Sequence, residues 1–198
     1  DEDIVKSNIV KVDKNNKIKD YFYKRIIFPI FNEINMLVGF GGRSIDNSNP
    51  KYINSPESNI FQKRNLLFNL YNAKNVARKK NNILICEGYM DVISLYQNGI
   101  ESVVSPLGTS LTEEQIKMAW KYSSRPTIMF DGDKAGLRAS FKSALMVLPL
   151  ITSKNFIQFI TLQEGYDPDK YINDFSLKNF IEISKKPINL VDFIFYEA

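Results

Sequence analysis

From residue 81 onward, apolar segments alternate with amphipathic ones, and this alternation restricts the possible fold more than any other feature of the sequence. Four short apolar segments predict buried strands, at residues 82–86, 101–105, 126–130 and 156–162. Segments with helical spacing lie between them, at residues 91–97, 112–122 and 135–148. Because the links are short, this order predicts a mostly parallel sheet with helices on both faces. After residue 169 the sequence predicts further helix.

The part of the chain before this alternation has a different pattern. Residues 23–30 and 36–40 predict a β-hairpin that turns through residues 32–35. Residues 44–56 are rich in Asn, Ser and Pro and predict a loop, whereas residues 66–80 have the spacing of a helix. The chain carries a net charge of +4, and its cations are concentrated in this part. Such a distribution suits a protein that holds a polyanion beside a metal site, although ordinary surface variation would also produce it.

Carboxylates stand where three of the predicted strands end. Glu87 follows the first strand, Asp131-Gly132-Asp133 follows the third, and Asp167-Pro168-Asp169 comes shortly after the fourth. Ligands of open α/β sheets bind beyond the carboxyl ends of the strands, so these acids should converge if the three strands are neighbours. Each motif alone has an ordinary explanation as a turn, a helix start or a solvated side chain. Their shared position favours a single site.

The residue types limit the chemistry of such a site. Like charges held close together repel strongly at low dielectric, so an ionised cluster of acids requires cations. The chain has no histidine and a single cysteine, Cys86, which excludes a His base and a Cys/His zinc site within it. Carboxylate oxygens alone favour Mg²⁺ or Mn²⁺. Asp91 lies one helical turn after Glu87 and is a further candidate, placed behind the direct ligands.

Three segments of the second part resemble motifs of the Toprim domain, in the form that this domain has in bacterial-type DNA primases: Glu87-Gly88-Tyr89-Met90-Asp91, Ser105-Pro106-Leu107-Gly108-Thr109-Ser110 and Asp131-Gly132-Asp133-Lys134-Ala135-Gly136. The Toprim domain also occurs in topoisomerases, nucleases and recombination-mediator proteins. One departure is the order Glu164-Gly165, where the family usually has a Gly-Glu pair before its third acidic motif; Asp167 and Asp169 nevertheless keep their spacing.

The first part of the chain makes the resemblance more specific. Three of its segments are similar to the basic subdomain that precedes Toprim in bacterial-type primases: Arg25-Ile26-Ile27-Phe28-Pro29-Ile30, Gly39-Phe40-Gly41-Gly42-Arg43 and Pro50-Lys51-Tyr52-Ile53-Asn54-Ser55-Pro56-Glu57. Topoisomerases lack this block. The resemblance extends from about residue 20 to the end of the chain and therefore indicates a primase rather than another Toprim protein.

The resemblance implies an α/β fold in three parts. Residues 1–80 are expected to be part of a smaller basic α+β subdomain, residues 81–172 a Toprim domain with a mostly parallel sheet flanked by helices, and residues 173–198 the start of a C-terminal helical subdomain. It also implies the activity of a DNA primase catalytic core, which synthesises short RNA primers on single-stranded DNA by two-metal nucleotidyl transfer during replication. The zinc-binding and helicase-binding domains of the family are expected to lie outside these residues, so the chain is expected to be a fragment.

The resemblance also implies roles for individual residues. Glu87, Asp131 and Asp133 are expected to be catalytic, and these three together with Asp167 and Asp169 are expected to bind two or more Mg²⁺ or Mn²⁺ ions, without zinc. Whether Glu87 is only a ligand or also moves a proton stays open. Six residues are expected to contact nucleotide or template: Arg25, Arg43, Lys51, Asn54, Lys63 and Lys134. For the last of these, a role as an ordinary surface cation is an equal alternative.

The expected partners follow from the same resemblance. They are a single-stranded DNA template, ribonucleoside triphosphates, the RNA–DNA hybrid product and a replicative helicase bound through a domain outside these residues. A monomer without membrane contact is expected, in the bacterial cytoplasm at the replisome or in an organelle of bacterial descent. Two other interpretations stay open: another Toprim enzyme, such as a topoisomerase or nuclease, and a fragment that binds nucleic acid or nucleotide but is inactive on its own.

Overall fold

The computed structural model describes residues 9–46, 48–108 and 110–197 and divides the chain into two compact units, Asp1–Gln62 and Lys63–Ala198. By compactness, residues 66–80 belong to the second unit. The division between the units therefore comes earlier in the chain than the boundary near residue 81 that the sequence pattern predicts. The assignment of residues 1–80, 81–172 and 173–198 to separate evolutionary domains stays a prediction.

The first unit is built from two small antiparallel sheets. Its strands are β1 Val10–Val12, β2 Ile18–Asp20, β3 Arg25–Phe31, β4 Leu37–Ser44 and β5 Tyr52–Asn54. Strand β1 pairs with β2, and β4 lies between β3 and β5. The predicted hairpin is confirmed as β3–β4. The loop predicted for residues 44–56 is wrong at β5, because this short strand pairs with β4 despite the turn-forming residues on either side of it.

The second unit contains one six-stranded sheet. Its strands are β6 Leu67–Phe68, β7 Leu84–Ile85, β8 Val103–Pro106, β9 Thr127–Ile128, β10 Gln158–Phe159 and β11 Ile188–Asn189, arranged in the order β11-β10-β9-β7-β8-β6. The four central strands are parallel, and each edge strand is antiparallel to its neighbour. The prediction of a mostly parallel sheet is therefore confirmed.

Seven α-helices accompany this sheet among the described residues: α1 Leu70–Lys80, α2 Tyr89–Gln97, α3 Glu113–Trp120, α4 Lys134–Val147, α5 Pro168–Phe175, α6 Leu177–Ser184 and α7 Leu190–Glu197. The helix predicted at residues 66–80 is wrong in its first turn, where β6 forms instead. The helix predicted after residue 169 is interrupted by β11. Within the described ranges, no helix has the length and apolar character to cross a membrane.

The sheet separates two hydrophobic cores. Helices α1, α3, α4 and α7 pack on one face, and α2, α5 and α6 pack on the other. The rings of Phe159 and Phe193 stack with centroids 4.1 Å apart on the first face, and Phe180 is fully buried on the second. Each such burial contributes roughly 1.5–3 kcal/mol. The central strands are thus fixed on both sides, and so are the loops that leave their carboxyl ends.

Candidate active site

The sheet order brings the predicted acids to one edge. Strand β9 lies between β7 and β10, and the three are parallel, so their carboxyl ends point the same way. Glu87 follows β7, Asp131 follows β9, and Asp167 begins α5 after the loop that leaves β10. The condition on which the predicted convergence depends, that these strands are neighbours, is met. We call Glu87, Asp91, Asp131, Asp133, Asp167 and Asp169 the acidic edge.

Asp131 lies at the centre of the acidic edge, and its polar atoms are incompletely hydrogen-bonded within the described residues. Its backbone N–H donates to Oε2 of Glu87 over 3.5 Å, the outer limit for such a bond. Its own Oδ1 is buried and accepts no hydrogen bond from the part of the chain that the structure describes. A buried carboxylate oxygen without a partner is costly, so a proton or a cation is required to stabilise it.

The acids raise one another's pKa values. Burial, and then the charge of Glu87, raises the pKa of Asp131 to about 7. Burial, and then the charge of Asp167, raises the pKa of Asp91 to about 7. Burial also raises the pKa of Glu87, against the opposing effect of the Asp131 N–H. Each of these carboxyls lies within electrostatic reach of other acids, which is the arrangement that a bound cation would stabilise.

Asp133 and Asp167 are both helix N-caps. Oδ1 of Asp133 accepts the backbone N–H groups of Ala135 and Gly136 over 2.8 and 2.7 Å, at the start of α4. Oδ1 of Asp167 accepts the N–H of Lys170 over 2.7 Å, at the start of α5. The ordinary explanation of Asp-Pro-Asp as a helix start is thus correct, and Asp-Gly-Asp also leads into a helix. It is compatible with metal binding, because capping engages one carboxylate oxygen and fixes the direction of the other.

Helix α2 supports the site from behind. Oδ2 of Asp91 accepts the N–H of Gly88 over 3.1 Å, which closes the turn after Glu87. One turn further along, the hydroxyl of Ser94 donates to Oδ1 of Asp169 over 2.6 Å. Ser94 is not among the site residues predicted from the sequence. Its spacing of three residues from Asp91, which places both on one helical face, is the signal that points to it.

Two glycines, one within the Asp-Gly-Asp motif and one three residues after it, are required by the backbone packing. A Cβ atom on Gly132 would lie 2.1 Å from the carbonyl oxygen of Gln163, and one on Gly136 would lie 2.2 Å from the carbonyl oxygen of Asp131. A Cβ on Gly88 would meet only a carboxylate oxygen, at an ordinary 3.5 Å. The close approach at Gly132 therefore joins the loop after β9 to the loop that carries the third acidic motif.

The first unit presents a basic and aromatic surface on its three-stranded sheet. Arg43 lies opposite Tyr52 in the β4–β5 ladder, and Gly41 lies opposite Asn54, so the side chains of Arg43, Tyr52 and Asn54 share one face. The guanidinium of Arg43 and the ammonium of Lys51 lie 6.0 and 5.8 Å from the centre of the Tyr52 ring. We call Arg43, Lys51, Tyr52 and Asn54 the basic–aromatic face.

Arg25 does not lie on this face. It stands opposite Ser44 in the β3–β4 ladder, one position out of phase with Arg43. Its guanidinium donates to the carbonyl oxygens of Pro50 over 2.8 Å and of Lys51 over 3.2 Å. Arg25 thus holds the segment that carries Lys51, and a direct contact between Arg25 and nucleotide or template stays a prediction.

The two remaining predicted cations are in the second unit. Lys63 begins the 3₁₀ turn Lys63–Asn65, and its carbonyl oxygen accepts the side-chain amide of Gln115 over 3.0 Å. Lys134 is exposed at the first turn of α4, directly after Asp133. Their contacts to nucleotide or template stay predictions.

The donor set of the acidic edge fits a hard divalent cation. All its side-chain donors are carboxylate oxygens, and one of them, the buried Oδ1 of Asp131, has no partner among the described residues. Within the described residues, no group of three or more acids, cysteines or histidines is already drawn together as a metal cage. Mg²⁺ is usually bound through one or two carboxylates, waters and substrate phosphates, which requires no such cage.

Comparisons with known proteins agree with this geometry. Residues 1–74 match the family model of the DNA primase catalytic core, N-terminal domain, and residues 84–172 match the Toprim-like family model. A DNA primase from Rickettsia prowazekii is 41% identical over 183 residues, which are 92% of this chain and 31% of that protein. The chain thus spans about a third of the length of the curated relatives it matches.

Solved structures give the same result. A DNA primase domain from Pseudomonas aeruginosa superposes with a TM-score of 0.92 at 33% identity, over 99% of this chain and 62% of that one. A DnaG primase catalytic domain bound to single-stranded DNA superposes with a TM-score of 0.90 at 33% identity, over 98% of this chain and 63% of that one. From the paired family matches, the fold and the acidic edge, we conclude that the chain belongs to the bacterial-type DNA primases and corresponds to part of their catalytic core.

Proposed function

We propose that this chain provides the catalytic site of a DNA primase, which joins ribonucleotides into short RNA primers on a single-stranded DNA template. The observation that carries the proposal is the acidic edge, where carboxylates follow three adjacent parallel strands and the buried Oδ1 of Asp131 accepts no hydrogen bond from the residues that the structure describes. The primase match of residues 1–74 favours this activity over that of a topoisomerase or another Toprim nuclease.

We propose that Glu87, Asp131, Asp133, Asp167 and Asp169 hold two or more Mg²⁺ or Mn²⁺ ions. When bound, such ions offset the negative charge on the attacking and leaving oxygens of a phosphoryl group. The proposal is supported by the all-oxygen donor set and by the pKa values of Asp131 and Asp91, which neighbouring acids and burial raise to about 7. Ionised forms of both are stabilised once a cation is near.

The chain's own residues have distinct tasks in this proposal. The basic–aromatic face binds the triphosphate, with the forked guanidinium of Arg43 suited to two phosphate oxygens and Lys51 acting as a point charge. Glu87 is exposed at the end of β7 and has a raised pKa, which suits it to receive the proton of the attacking 3′-hydroxyl. Asp133 and Asp167, held by their capping bonds, keep the loops of the edge in a fixed orientation.

The proposed partners extend beyond this chain. A single-stranded DNA template is supported by the similar DnaG catalytic domain that is bound to single-stranded DNA. Ribonucleoside triphosphates as substrates, the RNA–DNA hybrid product, a replicative helicase as partner and the bacterial cytoplasm as the compartment are further parts of the proposal. They follow from the activity that we propose for the family's catalytic core.

The direct test is incorporation of labelled ribonucleotides on a single-stranded DNA template. We expect the chain to make short RNA products that disappear when the template or the divalent metal ion is left out. A parallel titration with Mn²⁺ and a fluorescent ribonucleotide analogue measures binding without chemistry. Metal-dependent nucleotide binding without any product would restrict the proposal to binding, and the absence of both would contradict it.

The affinity for divalent metal should depend on pH, because protons compete with the ion for the carboxylates. A protonated carboxyl does not bind Mn²⁺, and the pKa of Asp131 in the metal-free protein is about 7. The apparent affinity for Mn²⁺ should therefore fall about 10-fold between pH 8 and pH 6. Titration calorimetry at the two pH values measures this change. An Asp131→Asn variant should bind more weakly with a flatter pH dependence, and equal affinities of the parent at both pH values would contradict the prediction.

A further inference from the structure

Ser94 makes a hydrogen bond that joins two helices at the acidic edge. Its Oγ lies 2.6 Å from Oδ1 of Asp169, which is within the range of about 2.5–2.7 Å typical of a hydroxyl that donates to an ionised carboxylate. The two residues are far apart in the sequence, on α2 and α5, and these helices pack against each other on the same face of the sheet. The contact is therefore tertiary and depends on the fold of the second unit.

Two residues on the same face of α2 make hydrogen bonds at the acidic edge. Asp91 lies one turn before Ser94 and accepts the N–H of Gly88, directly after Glu87. Ser94 reaches Asp169, which lies in the first turn of α5. One rigid helix face is thus bonded both to the turn that carries Glu87 and to the carboxylate of Asp169.

The bond from Ser94 leaves the two oxygens of Asp169 unequal. Oδ1 accepts the Ser94 hydroxyl and, over a longer 3.4 Å, the side-chain amide of Asn173. Oδ2 accepts no hydrogen bond from the residues that the structure describes. A carboxylate held by one oxygen keeps its plane fixed, and its other oxygen remains available to a ligand. Hydrogen-bonded partners of this kind are what orient carboxylates that bind metals.

We propose that Ser94 is a positioning residue, whose hydroxyl orients Asp169 so that Oδ2 faces a divalent cation. This inference rests on the proposed function, because it presupposes that the acidic edge binds metal. In the absence of the Ser94 hydroxyl, Asp169 would have to lose its rotational freedom at the moment of binding, and this loss would weaken the binding of the ion.

The test is the binding of Mn²⁺ alone, measured by titration calorimetry and by electron paramagnetic resonance of free Mn²⁺. A Ser94→Ala variant should bind Mn²⁺ about 10-fold more weakly than the parent. A Ser94→Thr variant, which retains the hydroxyl, should recover most of this loss. On an Asp169→Ala background, Ser94→Ala should cause no further loss, because the bond that it removes is already gone.

A matched control separates positioning from general destabilisation. Ser143 on α4 is likewise a helical serine, buried where Ser94 is partly buried, and its hydroxyl donates to the carbonyl oxygen of Ala139 over 2.8 Å. Ser143→Ala should leave the affinity for Mn²⁺ unchanged. If Ser94→Ala binds Mn²⁺ with the affinity of the parent, or if Ser143→Ala loses as much affinity as Ser94→Ala, the proposed role of Ser94 is overturned. Neither result would contradict the metal site itself. A parent chain that binds no Mn²⁺ would instead overturn the metal site, and the role of Ser94 with it.

Discussion

Replacing Gly132 with alanine should lower the free energy of unfolding by about 3 kcal/mol, among the largest effects of any single substitution in this chain. The new Cβ would lie 2.1 Å from the carbonyl oxygen of Gln163 and 2.7 Å from that of Leu162. Both obstacles are backbone atoms, so no side chain can rotate away to make room. In addition, the N–H of Gly132 donates to the carbonyl oxygen of Tyr166 over 2.8 Å, and any shift that relieves the clash breaks this bond.

Thermal unfolding measures this effect directly. For a chain of this size, the melting temperature should fall by about 6–12 °C. Gly108→Ala is the matched control, because a Cβ on Gly108 meets no described atom within 4 Å apart from its own chain neighbours, and it should change stability by less than about 0.5 kcal/mol. A Gly132→Ala variant that melts with the parent would contradict the close approach between the loops of the second and third acidic motifs.

The main elements of the second unit could be predicted because each signal is local. Continuous apolar segments predict buried strands, helical spacing predicts the intervening helices, and the pair Thr112 and Gln115 forms the reciprocal capping bonds that begin α3. Carboxylates that directly follow parallel strands must meet at one edge when those strands are neighbours. The acidic edge could therefore be predicted from the sequence alone.

The edge strands could not be predicted in the same way. Strands β5, β6 and β11 have two or three residues each. Three of the four central strands are no longer, but the sequence marks them by apolar segments, whereas neither a strand-length apolar segment nor a period of two marks β5, β6 and β11. Their extended conformation depends on the partner strand, which is distant in sequence: β6 pairs with β8, and β11 pairs with β10. Tertiary pairing overrides local preference at these positions, as it does in the first turn of the helix expected at residues 66–80.

The contacts that support the site could not be predicted from the sequence either. The bond between Ser94 and Asp169 joins residues in separate helices, and only the packed structure brings them together. The contact of Arg25 with nucleotide or template stays a prediction. The ladder register places Arg25 out of phase with Arg43, and its guanidinium donates to backbone carbonyls there. In both cases a side-chain type was visible in the sequence, but its direction was not.

Replacing Asp131 with asparagine should separate stability from activity. The substitution keeps the shape of the side chain and removes the charge at the centre of the acidic edge. The folded protein raises the pKa of Asp131 from an ordinary value of 3.8 to about 7, so above pH 7 the metal-free fold holds an ionised group that it disfavours. Removal of that charge at pH 8 should therefore leave the metal-free protein at least as stable as the parent.

The same substitution should abolish nucleotidyl transfer. A neutral amide binds divalent ions much more weakly than a carboxylate, and the loss of a direct ligand should lower the rate at least about 100-fold. Asp192→Asn is the matched control, because Asp192 is an exposed carboxylate on α7 that accepts the side-chain amide of Asn189 and takes no part in the acidic edge. Its rate should equal that of the parent.

The most direct measurement is therefore primer synthesis with labelled ribonucleotides, single-stranded DNA and Mg²⁺ at pH 8, with the parent, Asp131→Asn and Asp192→Asn side by side. We predict template-dependent oligoribonucleotides from the parent and from Asp192→Asn, and none from Asp131→Asn, while all three unfold at similar temperatures without metal. Primer synthesis by Asp131→Asn at the parent rate would contradict the assignment of the acidic edge as the catalytic site.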